Sequence, residues 1–327
     1  MLKIGVFGVG HLGKIHVKLL QNIEHYQVVG FFDPNNSNAE KISKEFGIKR
    51  FTDFNELIAA IDVADIVTPT VTHFDVASKA IEAGKHIFIE KPLASNMLEA
   101  KQLVEMVKAK GVKAQVGHVE RFNPAFLAVK EIELKPMFIE THRLALFNPR
   151  GTDVSVVLDL MIHDIDVILS IVDSKVKAIH ASGVAIVSKT PDIANARIEF
   201  ENGCVANVTA SRLSLKNMRK TRIFQPNAYL SIDFLDKKSE IVRLSDSPTS
   251  GIGSFELNMG DERGKKYILF EKSDAPPVNS IQMELTLFAE SILQNKQEEV
   301  TIEDGYNAME IAYRISDEID KRITDNG

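Results

Sequence analysis

At 327 residues, with 44% hydrophobic and 26% charged side chains, the chain has a globular composition and enough length for two domains with cores of their own. A formal net charge of −6 argues against a dedicated nucleic-acid binder, and the single cysteine, Cys204, excludes an internal disulfide. No run of about 18 apolar residues and no basic-plus-apolar leader occurs, so a cytoplasmic protein without membrane attachment is expected.

Leu2 to Phe7 is apolar on both faces, as a central strand of a parallel sheet must be. It breaks into Gly8-Val9-Gly10-His11-Leu12-Gly13 and opens a helix from His11. Gly8 permits a tight turn, Gly10 lets the backbone approach a pyrophosphate with no Cβ in the way, and Gly13 lets the helix pack close to the strand. The free N–H groups of the helix start, at His11 and Leu12, then face the phosphates. A second apolar strand, Val28 to Phe32, ends at Asp33, twenty positions after Gly13, where an acid accepts hydrogen bonds from the adenosine ribose. The conjunction predicts a dinucleotide site, against the plainer reading of a glycine-rich turn without a ligand. Asp33 repels a 2′-phosphate and Pro34 to Ser37 supply no Arg or Lys, so NAD is favoured over NADP.

Helical patterns follow at residues 38 to 46 and at Asp53 to Ala60, where Asp53 is a suitable cap. The strand Ala64 to Thr68 stops at Pro69, which places Thr68, Thr70 and His73 at a carboxyl strand end, the edge where such sheets bind ligands. These residues read as a polar wall for the cofactor, as a proline turn capping the helix His73 to Ala83, or as both. The next strand, Gly84 to Ile89, delivers Glu90-Lys91-Pro92 to the same edge. A surface Lys is usually a solvated charge. Lys91 ends a buried strand and precedes a turn fixed by proline, which suits chemistry better than packing. The helix Ser95 to Lys110 and the strand Lys113 to Val116 complete a doubly wound parallel sheet, so a Rossmann domain is read over 1–120 and a second domain over 121–327.

Beyond residue 120 the rhythm changes. A helix from Pro124 to Glu131, a strand from Met137 to Phe147 and a strong helix from Ser155 to Val172 lead into alternating strands. These are Val176–Val187, Ala194–Glu199, Val205–Leu213, Thr221–Ile223, Tyr229–Phe234, Glu240–Leu244 and Tyr267–Phe270. The reading is an α+β domain with one large, mostly antiparallel, open-faced sheet. Ser250 to Lys266 reads as a mobile loop, and helices Ile281–Gln294 and Ile302–Arg322 close the chain. Cys204 falls in a strand and reads as buried filler rather than a nucleophile.

In the helix around Leu158 to Asp166, Asp159 and His163 are four apart and share a face. A carboxylate and an imidazole so placed can orient a hydroxyl and take its proton; a surface pair or half of a metal site are the alternatives. No Cys or distant His cluster completes a ligand set, so no metal is expected. The apolar surroundings, Val156, Val157, Leu160, Met161 and Ile162, argue against a surface pair.

Taken together, the glycine turn, the Ala83-Gly84-Lys85-His86 to Glu90-Lys91-Pro92-Leu93 run and Leu158 to Asp166 resemble the glucose-fructose oxidoreductase and inositol dehydrogenase (Gfo/Idh/MocA) family over essentially the whole chain, down to Thr301-Ile302-Glu303-Asp304-Gly305. The resemblance implies a nicotinamide-dependent dehydrogenase or reductase of sugars and polyols, with Lys91, Asp159 and His163 matching the catalytic Lys, Asp and His. It also implies a homodimer or homotetramer paired through the second-domain sheet. The proton is then taken by His163 or Lys91 while Asp159 holds the hydroxyl or steadies His163. The positive charge of an oxidised nicotinamide beside Lys91 would lower its pKa. The stretch Val116-Gly117-His118-Val119-Glu120-Arg121-Phe122-Asn123-Pro124 resembles more narrowly the branch that oxidises UDP-N-acetylglucosamine at C3. On that reading His118, Arg121 and Asn123 join Lys91, Asp159 and His163 in binding substrate, with Arg121 on a diphosphate. The alternatives are an interdomain Arg121–Glu120 ion pair, a free sugar or polyol substrate, and a non-catalytic NAD-sensing regulator. Retention of Lys91, Asp159 and His163 together argues against the last. His142, Arg143 and Arg150 read either as helpers or as solvated charges.

Overall fold

The computed structural model describes residues 1–148, 154–247, 254–258, 265–273 and 275–325. They fall into two compact units, Met1–Phe122 with Val278–Glu310 and Asn123–Pro277 with Ile311–Gly327.

The first unit runs β1 (Leu2–Phe7), α1 (His11–Leu20), β2 (Tyr26–Phe32), α2 (Asn36–Phe46), β3 (Arg50–Phe51), α3 (Phe54–Ala60), β4 (Val63–Ile66), α4 (His73–Glu82), β5 (His86–Glu90), α5 (Met97–Lys110) and β6 (Ala114–Gly117). The strands are parallel in the order β3-β2-β1-β4-β5-β6, and the order reverses between β1 and β4. In a doubly wound sheet that reversal opens a crevice at the carboxyl ends of the strands. Helices begin where the sequence supplies a cap: the side chains of Asn35, Asp53 and Asn96 accept from the amides of Asn38, Asn55 and Glu99.

The second unit contains α6 (Pro124–Leu127), β7 (Phe138–Leu144), a π-helical turn at Val157–Met161, α7 (Ile162–Ile171), β8 (Val176–Val184), β9 (Ile193–Phe200), β10 (Val205–Ser211), β11 (Met218–Gln225), β12 (Ala228–Asp233), β13 (Lys238–Ser245), β14 (Ser254–Asn258) and β15 (Lys265–Ser273). The nine strands lie in the order β14-β15-β13-β12-β11-β7-β10-β9-β8, antiparallel except where β7 meets β10. Under one face Phe126 and Val167, from the α6 and α7 regions, join Ile223, Leu230 and Ile232 in the core. The other face is open. Met218, Phe224, Leu244 and Phe270 are each 39–50% exposed there, beside an Arg222–Glu140 ion pair at 2.8 Å.

Several sequence readings need correction. The single cut after residue 120 fails because α8 (Ser280–Leu293) returns to the first unit, burying Leu285, Phe288 and Ala289 in the core that holds Val17, Leu20 and Phe88. An amphipathic helix is placed by the apolar surface that covers it, not by its neighbours in the chain. The last helix, α9 (Ile302–Asp325), opens on a capping box in which Thr301 Oγ1 accepts from the Asp304 amide and the Asp304 carboxylate accepts from the Thr301 amide, at 3.1 and 2.8 Å. Within the segment read as a loop from Ser250 to Lys266, Ser254–Asn258 is a strand paired with β15; residues 250–253 and 259–264 lie outside the described residues. The helix expected over Pro124–Glu131 ends at Leu127, and the one expected from Ser155 starts as a π turn.

Candidate cofactor and catalytic site

A cavity of about 680 Å³ lies in the first unit at the carboxyl ends of β1, β2, β4 and β5. It is lined by Gly8, Gly10 and Leu12 of the turn, by Asp33 after β2, by Thr68, Thr70 and His73 after β4, and by Glu90 and Lys91 at the end of β5. His11 and Gly13 lie outside that lining: His11 is exposed on the first turn of α1 and Gly13 is buried beneath it. Each glycine has its own reason. Gly8 has φ +88° and a Cβ there would stand 2.8 Å from the Val67 carbonyl oxygen, while a Cβ on Gly13 would stand 2.0 Å from the Gly8 oxygen. A Cβ on Gly10 meets nothing within 4 Å, so the bare backbone there opens on the cavity. No side chain caps the start of α1, which leaves its first amides for an anion. This cradle fits a dinucleotide pyrophosphate.

At one end of the cavity Asp33 is 7% exposed, its two carboxylate oxygens accepting from the Val9 and Asn35 amides at 2.8 and 2.7 Å. Arg50, on β3, donates through Nη2 to the Asp33 carbonyl oxygen at 3.2 Å and to Asn36 Oδ1 at 2.7 Å. The sequence reading found no cation near this end, because the strand that brings Arg50 back has only two residues. At the other end His73 is buried, with Nδ1 at 2.9 Å from the Pro92 carbonyl oxygen and Nε2 at 2.9 Å from that of Thr68. Burial lowers its pKa, against the pull of those carbonyls, so a neutral ring donates to one of them at a time. His73 thereby ties the segment after β4 to the residue that follows Lys91. Ser95 reinforces the link by donating to the Thr70 carbonyl oxygen at 3.2 Å. The Lys91–Pro92 peptide bond is cis.

In the second unit Asp159 sits within the π turn and His163 in the first turn of α7, both half-buried. An α-helix completes a turn in about 3.6 residues, so positions four apart are slightly offset; the wider π turn brings them nearer to alignment. Behind them Arg143 holds Asp164 through Nε and Nη2 at 2.8 and 3.0 Å, with both side chains buried. Arg143 is therefore not a solvated charge. The segment leading into the π turn is anchored by Arg212, which donates to the Val154 carbonyl oxygen, and by the Val156 amide on the Pro191 oxygen at 3.3 Å. Next to Pro191, burial disfavours ionisation of Asp192, but hydrogen bonds from Ser188, Val187 and Ile186 outweigh it and hold the carboxyl well below the usual carboxylate range.

The stretch after β6 is more structural than the sequence suggests. Asn123 is a helix cap: Oδ1 accepts from the Ala125 amide at 3.1 Å and Nδ2 donates to the Phe234 oxygen at 3.0 Å, so its amide has a structural role. Arg121 stands 3.8 Å from Asp304, an ion pair within the first unit. His118 is buried and His142 is half-buried on β7, while Arg150 lies outside the described residues. Cys204 is buried, as expected of filler.

A glycine turn feeding a helix start, an acid at one end of the cavity and a lysine at the other define a dinucleotide-binding unit of the dehydrogenase type. Residues 2–118 match the oxidoreductase family with an NAD-binding Rossmann fold, and residues 141–228 match the Gfo/Idh/MocA C-terminal domain. The chain is 37% identical over 252 residues, 77% of its length and 80% of the relative's, to UDP-N-acetylglucosamine 3-dehydrogenase of Acidithiobacillus ferrooxidans. A solved structure of that organism's enzyme superposes with a TM-score of 0.88 at 32% identity, covering 97% of each chain. Scyllo-inositol 2-dehydrogenase (NAD(+)) of Bacillus subtilis is 33% identical over 234 residues, 65% of this chain and 68% of the relative's. The chain belongs to the Gfo/Idh/MocA oxidoreductase family, and its nicotinamide cofactor is NAD.

Proposed function

We propose that this oxidoreductase of CH–OH groups takes a nucleotide sugar of the UDP-N-acetylhexosamine type and oxidises its C3 hydroxyl to a ketone. Bound NAD supplies the hydride acceptor. The observation that carries the reading is the cavity that runs from the Asp33 carboxylate past the bare Gly10 backbone to Lys91. Asp33 receives ribose hydroxyls, the first amides of α1 face the pyrophosphate, and Lys91 stands at the reacting end. Lys91 or His163 takes the hydroxyl proton, and Asp159 holds the hydroxyl or steadies His163. Arg121 and His118 are assigned to the substrate, Arg121 because a guanidinium binds phosphate oxygens in pairs. The choice of a UDP sugar is supported by the likeness to UDP-N-acetylglucosamine 3-dehydrogenase across nearly the whole chain. The likeness to an inositol dehydrogenase supports a polyol as the second reading.

The test is NADH formation by the purified protein with UDP-N-acetylglucosamine, UDP-N-acetylgalactosamine, myo-inositol and glucose. Turnover confined to the UDP sugars is expected. Turnover with inositol alone would overturn the nucleotide-sugar reading and leave the oxidoreductase intact. We also infer that copies of the chain pair through the open sheet face around Phe224 and Phe270, because an exposed apolar patch of this kind marks an interaction surface. Light scattering after size exclusion reads that directly: Phe224→Lys should lower the mass, and a wild-type monomer would overturn it.

A further inference from the structure

Behind the reacting end of the cavity lies a buried cluster of ionisable side chains that the proton-transfer set does not use. His16 on α1 and Asp65 on β4 are fully enclosed, Glu284 on α8 is fully enclosed, and the side chain of Glu90, at the end of β5, is 12% exposed. His16 Nδ1 is 3.1 Å from both oxygens of Asp65, and its Nε2 is 3.3 Å from Glu90 Oε1. A ring hydrogen-bonded to one carboxylate through Nδ1 and in charge contact with a second at Nε2 favours the imidazolium form. Burial opposes the charge on His16, but Asp65 and then Glu90 outweigh it and raise its pKa well above 6.5.

The Glu90 carboxyl group is confined from the other side by Gly117, where a Cβ would stand 2.9 Å from Glu90 Cδ and Oε1. Burial and then the negative charge of Glu90 push the Glu284 carboxyl well above the usual range, which favours its neutral form. With the imidazolium matched by Asp65, Glu90 is the acid in excess. Of these groups only Glu90 lines the cavity, beside Lys91 and at the end away from Asp33.

We propose that His16 is a positioning residue which, clamped between Asp65 and Glu90, fixes the Glu90 carboxylate at the nicotinamide end of the cavity, so that the positively charged oxidised cofactor is bound in preference to the neutral reduced ring. The proposal rests on the cavity being the NAD site. A fixed carboxylate within a low-dielectric pocket favours a cationic ring over a neutral one, and it does so through binding alone, before any substrate arrives.

The experiment is calorimetric titration of the full chain with NAD+ and, separately, NADH, for the wild type, Glu90→Gln, His16→Asn and His16→Gln, with thermal unfolding to confirm that each variant is folded. Glu90→Gln should reduce the ratio of NAD+ to NADH affinity about tenfold, the factor that about 1.4 kcal/mol represents. His16→Asn keeps a donor for Asp65 but falls short of Glu90, and should lower the ratio by at least about threefold. His16→Gln, whose longer amide reaches toward Glu90, should restore part of it; if His16→Asn does not fold, the other two variants carry the same comparison. Equal loss of both affinities with the ratio unchanged would overturn the proposal and leave His16 a packing residue. Failure of the wild type to bind either nucleotide would overturn the cofactor reading itself, and the proposal with it.

Discussion

The two compact units bury charge in opposite ways. In the second unit Arg143 grips the buried Asp164 with two donors, and one carboxylate oxygen of Asp192 accepts from the amides of Ile186, Val187 and Ser188. In the first unit acids outnumber cations around His16, and the excess reaches the cavity through Glu90. Balanced, hydrogen-bonded charge gives a rigid frame, whereas unbalanced charge is retained where a ligand completes it. The first unit therefore reads as the half that is finished by its cofactor, and the second as the half that is finished by itself.

The sharpest break between the two kinds of residue comes from Lys91→Ala. Turnover should fall by about a thousandfold or more while NAD+ affinity stays within a few-fold, as for the loss of a group that moves a proton rather than one that binds. Paired kinetics and calorimetry check it. In the second unit Arg143→Ala removes both guanidinium donors from the buried Asp164 carboxylate, which should cost about 3–5 kcal/mol in urea unfolding; replacing both partners by Met and Leu should cost far less. At the cavity's other end, Asp33→Ser should raise NADP+ affinity relative to NAD+ by about tenfold, with Arg50 receiving the 2′-phosphate. If Asp33→Ser, Arg50→Ala gives the same gain, Arg50 plays no part.

The charge imbalance also has a pH signature. His16 is raised well above 6.5 and Glu284 well above 4.5, so the folded first unit holds protons that the unfolded chain has released. Unfolding then releases protons, and stability falls as pH rises. The Glu284 contribution is present below 4.5 and fades above it, and that of His16 is present below 6.5 and fades as pH climbs through its raised value. The depressed pKa of His73 acts the other way, costing stability as pH falls below 6.5. Above pH 6.5 the melting temperature should therefore decline as pH rises, and Glu284→Gln should flatten that decline. The smallest effect concerns Cys204, whose buried thiol is pushed up to about 11 and should stay unmodified by a disulfide reagent at neutral pH until the protein unfolds.

What was legible in the sequence follows the same division. The glycine turn, Asp33 and the end of β5 could be read because a short stretch of chain supplies both the motif and its geometry: Gly8 needs positive φ, Gly13 needs the space, and Lys91 ends its strand. The alternation of strand and helix fixed the doubly wound sheet for the same reason. The His16 cluster was not legible, since α1, β4, β5 and α8 each contribute one residue and only the packed unit joins them. Arg50 arrives on a two-residue strand too short to show a pattern. Asn123 stands beside Arg121 in a stretch that reads as a ligand set, yet its amide is a cap. The strand Ser254–Asn258 lies in a stretch rich in glycine and charge, where its pairing with β15 has no local signal.

The most direct measurement is a crystal structure of the protein with NAD+ bound. The adenosine ribose should meet Asp33, the pyrophosphate should lie over the Gly8–Gly10 backbone and the first amides of α1, and the nicotinamide ring should rest beside Glu90 and Lys91. A dinucleotide bound outside this cavity, or bound with its nicotinamide at Asp33, would contradict the account.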